Sequence, residues 1–112
     1  MTNISKFRQT LKDIRVEAVK KLVSIMKKHD RKEVETYEFD DTPIVIDSNE
    51  VDSTYTLDNI RVVNGTEPYL IFRCSSTYDS ENVTSDNISI DNLVEILDWV
   101  VSNEKWLFES ED

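Results

Sequence analysis

Between Ser5 and Lys32 apolar side chains return every three or four positions. At about 100° per residue, Ile4, Phe7, Leu11, Ile14, Ala18, Leu22 and Ile25 fall in one narrow arc. Val16, Val19, Val23 and Met26 fill a flanking arc. The combined stripe is wider than a coiled-coil seam and predicts one long helix laid on a sheet. Thr2, Asn3 and Ser5 are each candidate caps for its start. His29 projects from the end of the apolar stripe. It lacks a second histidine to act with, and reads as a half-buried helix-end residue rather than a ligand or general base.

From Glu33 the pattern changes to period two. Tyr37 and Phe39 alternate with Thr36 and Glu38, which reads as a first strand. Asp40-Asp41-Thr42-Pro43 is turn chemistry, and Ile44-Val45-Ile46 reads as a short second strand. In Ser53–Val63, Tyr55 and Leu57 share one parity, while Ile60 and Val62 share the other. One long strand with a bulge near Asp58-Asn59 accounts for the flip; a tight turn at those two residues is the alternative. Asn64-Gly65 predicts a hairpin turn, because both residues tolerate positive φ. Tyr69–Ser75 carries apolar residues on both faces and is expected in the middle of the sheet. Ser76–Asn87 has no periodicity and reads as a polar loop. Its acids Asp79, Glu81 and Asp86 do not match a calcium loop, since Val83 falls at a ligand position and the turn glycine is missing.

Ser89 is placed to cap a second helix, with Ile88 and Leu93 forming a hydrophobic staple. Leu93, Ile96, Leu97, Val100, Val101 and Leu107 give that helix a broad apolar face. Trp99 and Trp106, seven residues apart, fall opposite it. On one continuous helix both rings would be exposed, the natural anchor for a protein partner or a homodimer. If the helix bends near Ser102-Asn103, both fold back over the sheet edge. The element order is α-β-β-β-β-α in a single α+β domain spanning 1–112. The expected architecture is a two-layer sandwich, with the long N-terminal helix and the C-terminal helix packed on a sheet of three to five antiparallel strands. The acidic residues 109–112 are expected to fray.

Charge sharpens this picture. Ten of the thirteen Lys and Arg residues precede Glu33, opposed there by Asp13, Glu17 and Asp30, a net +7. From Glu33 onward three cations stand against twenty acids, a net −17. The overall −10 disfavours contact with nucleic acid or an anionic membrane. If both helices share one sheet face, the basic flank of the first lies near the acidic second helix. One Gly and one Ala among many Asn, Ile, Asp, Glu and Lys suggest an AT-rich genome, and the layout and acidic composition resemble those of many small bacterial and mobile-element proteins.

Candidate chemistry is sparse. The lone Cys74 sits within an expected strand and cannot form an intramolecular disulfide; with the lack of a signal-like or membrane-length apolar block, this points to the cytoplasm. Zinc would need thiolates and imidazoles that one Cys and one His cannot supply. Phosphate-cradling loops need glycine, and Gly65 is in a hairpin. The chain is therefore expected to be non-enzymatic, with no catalytic residues, metal or cofactor. It reads as an interaction or regulatory accessory protein contacting a protein partner through Trp99 and Trp106. The alternative is an acidic inhibitor or DNA mimic, presenting Asp79–Asp86 and the acidic tail to a basic cleft.

Overall fold

A computed structural model describes residues 2–36 and 43–109, with the side chains of 4–36 and 43–108. The order is α1 (Thr2–Lys28), β1 (Glu33–Glu35), β2 (Thr56–Val63), β3 (Tyr69–Ser75), β4 (Ser80–Thr84), α2 (Ile90–Ser102) and α3 (Glu104–Glu109). The strands form one antiparallel sheet in sequential order, β1-β2-β3-β4. The helices pack on one face of it, as the hydrophobic pattern predicts.

The long helix starts earlier and stops earlier than its periodicity suggests. Ser5 lies inside α1 and is not its cap. The side chains of Thr2 and Asn3 are outside the described residues. At the other end, Arg31 N donates to Met26 O (2.8 Å) and Asp30 N to Lys27 O (3.0 Å). Asp30 has φ 56°. This is a Schellman close, in which a left-handed residue turns the chain back on the last turn. Asp occupies a position that glycine would fill without steric cost.

The bulge in β2 is where the parity flip places it. Leu57 pairs with Cys74 and Asn59 with Arg73, so Asp58 is the extra residue. It resets the alternation, and Leu57, Ile60 and Val62 all point into the core. Thr36 N donates to Asp58 O, and Thr36 Oγ1 to Leu57 O, satisfying carbonyls at the irregularity. The tight-turn alternative is excluded by the continuous pairing of β2 with β3. The strand is shorter than the predicted Ser53–Val63, because Asp52 starts a turn: it accepts from Thr54 N and Thr54 Oγ1, and its carbonyl takes Tyr55 N.

Three other expectations are corrected. Ile44–Ile46 makes one bridge, Val45 to Thr56, rather than a strand, although Ile44 and Ile46 are buried as a strand pattern would have them. The β2–β3 hairpin is not closed by a two-residue Asn64-Gly65 turn. Val63 pairs with Tyr69, leaving the five residues 64–68 in the loop, and Gly65 does not adopt positive φ. Ser76–Asn87 contains β4, where a loop was expected. As an edge strand with one face open to solvent, it needs only Val83 to enter the core, and a single apolar residue carries no periodicity. β1 is confined to Glu33–Glu35 among the described residues, and the strand expected around Tyr37 and Phe39 falls in residues 37–42, which lie outside them.

β3 is central, and Leu70, Phe72 and Cys74 are fully buried beneath the helices. Its other face carries Arg73 and Ile71, which with Glu33, Asn59, Arg61 and Asn82 make a shallow surface of mixed charge. Ser89 caps α2 by accepting from Asn92 N (3.1 Å), and Ile88 and Leu93 are both buried beside the cap. Asn92 clasps the β1–β2 connection to α2. Its Oδ1 accepts from Asp47 N (2.9 Å), and its Nδ2 donates to Val45 O (3.0 Å). Truncating it strands two main-chain groups, so Asn92→Ala is expected to cost about 2 kcal/mol. Asp30→Gly is expected to add about 1 kcal/mol by relieving the left-handed strain. Urea titrations should show both as midpoint shifts, in opposite directions and with unchanged slope.

Candidate functional site

The apolar stripe of α1 is continuous in sequence but is buried only in its second half. Ala18, Val19, Leu22, Val23 and Met26 belong to the core. Ile4, Phe7, Leu11 and Ile14, from the same stripe, are 51%, 57%, 38% and 40% exposed. Val16, expected in the flanking arc, is also exposed. The change falls at Arg15, whose Nη1 donates to Ser85 O and Ile88 O, each at 2.7 Å. Those two carbonyls belong to the β4–α2 turn. Arg15 is thus the last foothold of α1, and the residues before it form an overhanging arm of about 20 Å at 1.5 Å per residue.

The arm's apolar stripe runs into an open groove of about 610 Å³ between α1 and α2, lined by Ile14, Ala18, Val94 and Leu97 with Thr10, Asp13, Glu17, Lys20 and Lys21 at its sides. A smaller hollow lies along the arm itself, among Ile4, Phe7, Arg8 and Leu11. On α2, Val94 (37% exposed) and Val101 (50% exposed) continue the apolar surface. Val101 was expected in the buried face; it sits at its solvent edge. Contiguous exposed apolar surface rimmed by polar groups is characteristic of interaction sites.

The charges around this surface are arranged by sign. The arm carries Lys6, Arg8 and Lys12 against Asp13. α2 carries Asp91, Glu95 and Asp98 with no cation. Among the described residues the ion pairs are those of Lys28 and His29 with Glu104, and neither of these two sets of charges takes part in one.

The two tryptophans do not lie on one continuous helix: Trp99 is on α2 and Trp106 on α3. The helix breaks at Asn103, whose backbone N and side-chain Nδ2 both bond Trp99 O. The break removes the i,i+7 relation on which a paired anchor depends. Trp99 is half-buried and packs against the core, whereas Trp106 on α3 is 65% exposed. Their placement is therefore split between the two arrangements that the sequence allows. The arm was the feature missed, because its residues have the same spacing as those of the buried half.

His29 anchors α3. Its ring stacks on Phe108 with centroids 4.3 Å apart and planes 3° from parallel. Its Nε2 lies 2.6 Å from Glu104 Oε2, which also accepts from Lys28 Nζ at 3.0 Å. Cys74 is buried, and desolvation, assisted by the charges of Asp58 and Glu81, pushes its thiol up to about 11. It is a poor nucleophile at neutral pH. Among the described residues, no three His, Cys, Asp or Glu side chains are grouped to hold a metal ion, and no helix is long and apolar enough to cross a membrane. Comparison with protein-family models, curated proteins and solved structures returns no match for this chain.

Hydrogen bonds from His29 and then Lys28 hold the Glu104 carboxyl below its ordinary value. A carboxylate whose pKa is lower folded than unfolded contributes stability above the unfolded value and loses it as pH falls through the folded one. Docking of α3 should therefore loosen as pH drops below the ordinary glutamate pKa of about 4.3. Tryptophan emission and near-UV circular dichroism should follow the loosening. Glu104→Gln should already show part of the change at neutral pH and lose that component of the acid transition.

Proposed function

We propose that the chain is a non-enzymatic protein–protein interaction domain whose contact surface is the arm of α1 together with the α1–α2 groove. The observation that carries this reading is the exposed stripe Ile4-Phe7-Leu11-Ile14, the continuation of a stripe that is core a few residues later. Leaving Phe7 and its neighbours in water forgoes hydrophobic stabilisation of about 25 cal/mol per Å², which a partner laid over the arm would recover. In this reading Trp106, exposed on α3, is a peripheral contact, and Trp99, half-buried against the core, is a minor one. The non-enzymatic part of the reading is supported by the two side chains best suited to chemistry: Cys74 is enclosed in the sheet, and His29 is engaged by Glu104 and Phe108. A cytoplasmic setting belongs to the same proposal, since a lone buried thiol suits a reducing compartment.

Photo-crosslinking in cells tests the reading. A benzophenone amino acid replaces Phe7 in one variant and the 97%-exposed Tyr78, remote from the arm in sequence, in the other. Protein adducts identified by mass spectrometry are expected from position 7 and not from position 78. Equal or absent adduct formation at the two positions would sink the proposal.

A further inference from the structure

We infer that the occupant of this surface is a second copy of the chain, related by a two-fold axis so that each arm lies along the partner's α2. The inference rests on the interaction reading above and names its partner. Three features of one surface are self-complementary, as a two-fold interface requires. The first is apolar continuity: the arm offers Phe7, Leu11 and Ile14, and α2 offers Val94, Leu97 and Val101. At about 100° per residue the three α2 residues span an arc of only about 60°. The second is length. The arm before Arg15 and the 13-residue α2 each extend about 20 Å at 1.5 Å per residue, so one can lie along the whole of the other.

The third is charge. Lys6, Arg8 and Lys12 flank the arm's stripe, and Asp91, Glu95 and Asp98 lie on the solvent side of the α2 strip. Pairing arm with arm would set cations against cations. Pairing arm with α2 sets each unneutralised cluster against its opposite, twice in the dimer. Complementary charge of this kind fixes register and suppresses alternative partners. The chain thus carries, on one face, both halves of its own interface, and the overhang that its own sheet cannot cover has a cover of matching length and sign.

Sedimentation velocity on the full chain, across a micromolar dilution series, reads the association directly. A species of twice the 13.1 kDa chain mass is expected to dissociate on dilution. Phe7→Asp should be monomeric with unchanged far-UV circular dichroism. Reversing the arm (Arg8→Glu with Lys12→Glu) or α2 (Asp91→Lys with Asp98→Lys) should raise the dimer dissociation constant by about tenfold or more. Mixing the two reversed variants should restore the dimer, because both arm–α2 contacts of the mixed pair again join opposite signs. A wild-type chain that stays monomeric throughout overturns the self-pairing; adducts of position 7 with a different protein would then leave the interaction reading standing. A dimer indifferent to Phe7→Asp, or reversed variants that fail to rescue each other on mixing, also overturns it.

Discussion

A helix of 27 residues is longer than the sheet it covers. At 1.5 Å per residue α1 runs about 40 Å. The seven residues of β3 span about 23 Å, and four strands side by side span about 14 Å between the outer axes. Whichever way α1 crosses the sheet, part of it must pass the edge. Leu22 and Met26, fully buried on the core side, hold its second half in place. The overhang, the groove beside it and the abrupt change of environment at Arg15 all follow from this mismatch.

The position of that overhang is held by a small set of polar bonds at the ends of the elements. Arg15 ties α1 to the β4–α2 turn, Asn92 ties α2 to the β1–β2 connection, and Lys28 and His29 tie α3 to the end of α1. Among the described residues no buried side-chain nitrogen or oxygen lacks a hydrogen-bond partner. The hydrophobic contacts are non-directional; these bonds give the helical layer a definite register on the sheet. They also decide which charges are used up internally. Those of the α1 C-terminus meet Glu104, while those of the arm and of α2 form no ion pair among the described residues.

Much of this was legible because it is local. The Asp58 bulge shows as a flip in parity, the cap as Ser89 before an apolar run, and the central strand as apolar residues on both faces of Tyr69–Ser75. The edge strand β4 was not legible, since its outward residues meet only water and nothing in Ser80–Thr84 but Val83 needs to be apolar. The five-residue hairpin loop escaped because Asn-Gly permits a tight turn without requiring one.

The two tryptophans and the α1 stripe mark the boundary between the two kinds of information. Trp99 and Trp106 share a helical face only while the helix is unbroken, and the chain breaks at Asn103, with Leu107 and Phe108 buried beyond it. Side-chain periodicity by itself determined which residues of α1 share a face, because that follows from the backbone geometry of one helix. It could not determine that Leu22 is core and Phe7 is surface, since the two occupy the same stripe. That was decided only in the tertiary structure, by where the sheet beneath the helix comes to an end.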